Sequence, residues 1–419
     1  MALTETGVAA LELERVSDKV PALFDRDATF YSMIEKRQVE KVSNRDMRVP
    51  LELRPGGNFG HYDPDGGDLG TAGGPSFDKA VINTVHLKHG IQWTKKAEWA
   101  TDDTRKAVLN TVRHLLAKGM SEFRRNVDSL CMTSGTGILA TITSVSTAAG
   151  VDTYTLTTDG FGARLLRYGM PIAVMDATLA TNRTAGTDTP LTFVDYANKT
   201  VKCAAVTGAA ATDKIVVGGL GNVTGASVIS LLGVPYHHSS AATGSWLGFT
   251  RSATPEIRAN RVNASAALSL SHARLALNKV ADRTGIDNGF KPIACMHPCQ
   301  QQAYEELGQL ASVIQKSAKD ESLDLYFGNN MQMAGAPVKI FQSWDKTRID
   351  FIMQSVWGRA EMHPAGFYEV DGRKIFELRG ASGGVATSQI FYIVASFNLF
   401  VNNPAACSYI DGLTVPTGY

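Results

Sequence analysis

A chain of 419 residues with 41 basic and 40 acidic side chains has a formal net charge of +1. It carries no global field that demands nucleic acid or a membrane as partner. Apolar content is 44%, and no run reaches the roughly 18 apolar residues of a membrane span. The start, MALTETGVAALELERV, lacks the basic segment and apolar core of a secretory signal. Synthesis in a reducing cytoplasm is therefore expected. The odd, dispersed set Cys131, Cys203, Cys295, Cys299 and Cys407 fits buried thiols better than a disulfide framework. The length suits two or three domains or subdomains.

Taken in order, residues 1–45 look helical, polar and only loosely amphipathic, and read as an extended arm with short helices, too thin to be a domain. Met47–Leu53 and Phe77–Trp93 read as strands around a middle, Arg54 to Pro75, dense in glycine and proline. That middle has too few bulky side chains to form a core of its own. Thr101 to Cys131 predicts one long amphipathic helix. Val108, Val112, Leu115/Leu116, Met120, Phe123, Val127 and Leu130 recur at steps of three and four and draw a single stripe. Thr101 or Asp102 suits the N-cap, and the rod would measure roughly 43 Å. From Ser146 to Gly219 short Thr- and Val-rich strands follow one another (Thr153–Thr158, Pro171–Asp176, Leu191–Asp195, Thr200–Val206, Lys214–Val217), with a short helix at Phe161–Tyr168. They predict a small inserted barrel or sandwich.

Helical spacing returns over Ser265–Arg283, with Gly285 placed to end it. Lys291–Met296 reads as a buried strand, and Pro298 starts a helix over Cys299–Leu307. Strands are expected at Val338–Gln342 and Arg348–Gln354, then at Phe367–Val370 and Arg373–Leu378 around the turn pair Asp371-Gly372. Gln389–Val401 closes the chain as a long strand with Phe391, Ile393, Ala395, Phe397, Leu399 and Val401 on one face.

No enzymatic motif survives scrutiny. Gly380-Ala-Ser382-Gly-Gly384 fits G-x-S-x-G, but no histidine follows Ser382, and a strand rather than a helix comes next. His86 and His89 on one strand face opposite sides, which is wrong for shared ligation. His237-His238, in a Ser/Gly-rich stretch, is expected to face solvent. Cys295-Met-His-Pro-Cys299 offers at most three ligands and reads as a strand turning into a helix. Asp63-Pro-Asp65-Gly-Gly-Asp68 lacks the downstream glutamate of a calcium loop. No nucleotide-binding signature is present. No cofactor and no metal are expected.

The order of elements carries more. A polar arm, a long hairpin with a Gly/Pro-rich middle, a long helix, a mixed α/β region and closing strands ending in YIVASFNLFVNNPAA resemble the tailed-bacteriophage major capsid protein family. The resemblance implies an α+β chain with the Hong Kong 97 phage-like capsid fold. Residues 1–46 would be the N-terminal arm, 47–100 the E-loop and 101–137 the spine helix of the peripheral (P) domain. Residues 138–145 and 220–336 would form the axial (A) domain, 146–219 an inserted β-rich domain, and 337–419 closing strands shared by both. It further implies self-assembly as hexamers and pentamers into an icosahedral shell around a double-stranded DNA genome, held without sequence readout. Scaffolding, portal and decoration proteins would be further partners, and no membrane would be involved. The implied place is the virion, after assembly in the bacterial host cytoplasm. Arg54, Phe59, Tyr62 and Phe77 are the expected E-loop contacts to a neighbouring subunit. Two alternatives stand beside this reading: the shell of an encapsulin-like nanocompartment, and a serine hydrolase using Ser382.

Overall fold

The computed structural model describes residues 30–37, 40–41, 46–54, 56–57, 59–61, 65, 70–71, 73–94, 105–157, 160–219, 230–285, 291–312, 332–379 and 385–417. The expected caps Thr101 and Asp102, the first 29 residues of the arm, Tyr62 and Ser382 lie outside them.

The architecture turns on the strand Val385–Val401. Its period of two sends Phe391, Ile393, Ala395, Phe397, Leu399 and Val401 to one face, where each is at most 1% exposed. On one side it pairs antiparallel with Val85–Thr94, with Phe397 opposite Val85. On the other it pairs with Trp357–Phe367, with Val401 opposite Trp357, and then with Phe376–Arg379. Between those last two strands, Asp371 (φ 50) and Gly372 (φ 78) form the tight turn that the dipeptide predicts. Val370 and Arg373 exchange both backbone hydrogen bonds across it.

Against the buried face lies the long helix, Arg105–Cys131, whose 27 residues make a rod of about 40 Å. Phe123, Val127 and Leu130 enter the shared core. Gly119 sits mid-helix because a Cβ there would run into Ile91 of the adjoining strand. The described part of the arm is one short helix followed by extended chain. One turn, Phe30–Met33, leads to the extended pairs Lys36–Arg37 and Glu40–Lys41. Lys36–Arg37 is drawn out by parallel pairing with Arg359 and Ala360. Phe30 fills an aromatic box, 5.5 Å from both Trp344 and Trp357 and 6.2 Å from Phe341.

The Thr/Val-rich region is a seven-stranded antiparallel sheet ordered Phe193–Asp195, Thr200–Ala204, Val151–Leu156, Ile138–Ala148, Lys214–Val217, Pro171–Met175, Thr189–Pro190. Its two end strands are consecutive pieces of one segment, 189–195, so the path returns on itself as a small barrel. Tyr154, Ile172, Val174, Leu191, Val201 and Ile215 are buried in it. Residues 138–145, placed in the A domain from sequence, supply one of its staves, and the barrel's apolar residues run without a break into the main core. The helix expected at Phe161–Tyr168 is a run of turns. Gly160 (φ 50) and Gly162 (φ 55) adopt the left-handed region, which a right-handed helix does not contain.

A six-stranded mixed sheet completes the chain. Its order is Asn260–Asn263, Ser408–Asp411, Ile349–Met353, Pro292–Met296, Ala336–Ile340, Gln332–Met333. The helix Leu270–Thr284 lays Ala273 and Ala276 on its core, and Val280 is buried as well. Ser269 caps that helix by accepting from the His272 N–H, and Gly285 (φ 82) ends it. Pro298 opens the helix Pro298–Ser312 straight from the strand, so Cys295, His297 and Cys299 mark that junction.

Candidate functional site: a hairpin with a bare tip

Asp46–Arg54 and Ser76–Asn83 form an antiparallel ladder from Asp46 opposite Asn83 to Arg54 opposite Ser76. Glu40–Lys41 adds a short third strand. The single strand expected over Phe77–Trp93 is in fact two, because at Thr84 the chain leaves the hairpin and enters the central sheet. Asn398, fully buried, clamps that crossing. Its Nδ2 donates to the Asn83 carbonyl (2.7 Å), and its Oδ1 accepts from the Leu232 N–H (2.9 Å).

The root is anchored by apolar packing as well. Met47, Ala80 and Ile82 are buried with Trp246, Leu247, Phe249, Ile257 and Phe400. Leu247 (φ 47) and Gly248 (φ 96) make a tight turn. It aims the Leu247 carbonyl at the Val81 N–H (2.9 Å), while the Leu247 N–H donates to the Tyr236 hydroxyl (3.0 Å).

Beneath this turn lie His237 and His238, both fully buried, so the expectation that they face solvent is wrong. Burial, aided by the adjacent His238, holds His237 down to about 3 and therefore neutral. Its Nδ1 accepts from Trp246 Nε1 (3.1 Å), which leaves the proton on Nε2 facing the Leu399 carbonyl (3.2 Å). His238 differs. Burial alone would lower it, but the Cys407 sulfur and the Asp350 carboxylate outweigh that and raise it to about 9. Its Nδ1 lies 2.8 Å from Asp350 Oδ1. Arg348 grips the same carboxylate at 2.7–3.0 Å and stacks 4.1 Å over Tyr409. The Asp350 and Arg348 that fix His238 lie more than a hundred residues away, so local sequence suggested an exposed pair.

Toward the tip the ladder sheds its cover. Phe77 is 67% exposed and Phe59 101%. The neck is pinched by the bond from the Gly57 N–H to the Gly73 carbonyl (2.9 Å). Gly56 has no room for a Cβ beside the Gly74–Pro75 backbone, and Gly57 (φ 123) takes a conformation that favours glycine. In the single chain Arg54 reaches back to its own body. Its Nε is 4.0 Å from Glu256, with the two side chains 63% and 52% exposed, and its Nη2 donates to the Ala253 carbonyl (3.4 Å). An ion pair this open to solvent contributes little.

His86 and His89 do face opposite sides, toward Ser396 (2.7 Å) and Glu122 (3.7 Å) respectively. Sequence reasoning missed Asn398 and the Trp246–Phe249 turn. The glycine of Trp-Leu-Gly-Phe was the only local signal for the latter.

No family model matches the chain, and no curated protein matches it in sequence. Solved structures do. A chain of the cyanophage A-1(L) capsid superposes with a TM-score of 0.56 at 12% identity, over 95% of this chain and 97% of that one. The capsid of the native GTA particle matches at TM-score 0.47 and 12% identity, over 96% of this chain and 95% of that one. The holo-SrpI encapsulin complex of Synechococcus elongatus PCC 7942 matches at TM-score 0.47 and 10% identity, over 100% of this chain and 98% of that one. The cyanophage likeness spans nearly the whole of both chains, and it is a likeness of fold. The protein has the α+β Hong Kong 97 phage-like capsid fold.

Proposed function

We propose that this chain is the major capsid protein of a tailed bacteriophage, a structural subunit that assembles as hexamers and pentamers into an icosahedral shell around double-stranded DNA. The observation that carries this is the hairpin, fixed at its root and presenting Phe59 wholly uncovered at its tip. A finger of this kind has no use within its own chain. It gains one if a second copy receives it, since the apolar surface then leaves water. The shared fold with a cyanophage capsid chain supports the same reading.

On this reading the hairpin with Arg54, Phe59, Tyr62 and Phe77 is the intersubunit E-loop, and residues 1–46 are an arm. The long helix and closing strands form the P domain, and the barrel is an insertion in the A domain. The barrel faces outward, because an inward module would compete with packed DNA for space. Near-zero net charge limits repulsion among many copies. Scaffolding, portal and decoration proteins are the further partners, and assembly takes place in the host cytoplasm. The role is structural and uses no cofactor. Negative-stain micrographs of the purified protein test this: closed shells support it, and monomers that persist at high concentration overturn it. Shells that hold a protein cargo instead of DNA would favour the nanocompartment.

A further inference from the structure

Near the C-terminal end of the long helix, Asp128 is 5% exposed and sits where three segments meet. Its Oδ1 accepts from the Tyr31 N–H of the arm (3.3 Å), and its Oδ2 accepts from the Ser343 hydroxyl (2.7 Å). The arm is held around this point by Phe30 in its aromatic box and by Gln354 Nε2 donating to the Met33 carbonyl (2.8 Å). Among the described residues no ion pair reaches Asp128. A buried carboxylate that depends on two or three hydrogen bonds is costly to keep charged.

We propose that Asp128 is a proton-controlled latch on the arm, which seats residues 30–37 more tightly as its carboxyl takes up a proton. Burial raises this carboxyl to about 6, against the lowering effects of Ser343, the Tyr31 and Phe30 amides and Arg167. The other titratable groups around it and the arm are Arg124 and Cys131 on its own helix, Tyr31 on the arm, Arg359 over the Tyr31 ring (4.3 Å), Glu361, which pairs with both Arg359 (3.3 Å) and Lys36 of the arm (3.4 Å), and Cys295 on the neighbouring strand. Burial raises both thiols and Tyr31. None of the three titrates between pH 5 and 8, and arginine keeps its charge throughout.

The direction follows from linkage. A carboxyl raised in the seated state binds more protons there than when released, so seating strengthens as pH falls through 6. With Asp128 an ordinary carboxylate once the arm is released, opening should become about tenfold rarer at pH 5 than at pH 8.

Hydrogen exchange of the peptide covering residues 30–37 in the purified chain, corrected for intrinsic rates, tests this. Wild type should gain about tenfold protection from pH 8 to pH 5. Asp128→Asn should lose that slope. Ser343→Ala, which removes a donor that favours the charged form, should keep the slope and move its midpoint upward. A flat wild-type profile, an unchanged slope in Asp128→Asn or a midpoint moved downward in Ser343→Ala would each overturn the proposal.

Discussion

Phe59→Ala separates a clasp between copies from a loop that serves its own chain. Phe59 is 101% exposed in the single chain, so truncating its ring removes no packing there. The unfolding free energy of the isolated subunit should then stay within the roughly 0.5 kcal/mol typical of surface changes. In a shell, burying a phenylalanine side chain contributes about 1.5–3 kcal/mol per contact. Losing it lowers each contact's association constant by about 10- to 150-fold. Urea titrations followed by light scattering (particle dissociation) and by tryptophan fluorescence (subunit unfolding) read the two quantities separately. The dissociation midpoint should fall while the unfolding midpoint stays. Phe77→Ala should act in the same sense but less cleanly, since its own chain already covers about a third of it. A subunit that loses more than about 1 kcal/mol on Phe59→Ala would mean the ring packs at home. Unchanged dissociation would mean that nothing receives it. Either result refutes the clasp.

Other variants probe the root, the barrel and the buried histidine. Asn398→Leu leaves the Asn83 carbonyl and the Leu232 N–H without their partner and should lower subunit stability by about 2–4 kcal/mol in equilibrium urea unfolding. All five native cysteines are buried, so Ser146→Cys on the exposed barrel surface can be labelled alone. Assembled particles should react with a bulky maleimide polymer as fast as free subunits do, and protection in particles would contradict the outward barrel. His238 is raised in the folded chain to about 9, so its contribution is complete below about pH 6.5 and is lost as pH climbs through 9. Asp350→Asn should flatten that alkaline loss, as read from unfolding midpoints across pH 7–10.

Much of the frame was legible because it follows local periodicities. Phe391 to Val401 alternates without a fault, the described end of the long helix keeps Phe123, Val127 and Leu130 in the core, and Asp371-Gly372 announced its turn. The failures share one cause, which is contact remote in sequence. Trp357–Phe367 contains Gly358, Pro364 and Gly366 and breaks register at Glu361 and His363, so nothing local reads as a strand. Pairing with Val385–Val401 imposes the extended form on it. The break at Thr84 is likewise enforced by Asn398, more than 300 residues downstream. The candidate site was half legible. Its glycines and sparse aromatics pointed to a projecting loop, but the residues that hold its root, Trp246, Leu247, Tyr236 and Asn398, belong to segments with no link to it in sequence.

That division between root and tip is itself an argument about mechanism. From Met47 to Arg54 the ladder runs about seven residue steps, about 23 Å at 3.3 Å per residue. Met47 and Ile82 at its base are fully buried, whereas Phe77 near its end is mostly bare. An isolated two-stranded ribbon is marginal in water. This one stays extended because the Glu40–Lys41 strand, the Leu247 turn and the Asn398 clamp fix its base. Stiffness is therefore supplied within the chain, while the bare rings of Phe59 and Phe77 lie away from the buried base. Damage at the two ends should then differ in kind. A root variant weakens subunit and particle together, because the finger is no longer aimed. A tip variant weakens the particle alone. Since the two ends lie well beyond 10 Å apart, their effects on the subunit should also add without coupling. A loop that folded back on its own body would instead couple them, because losing the tip contact would loosen the root.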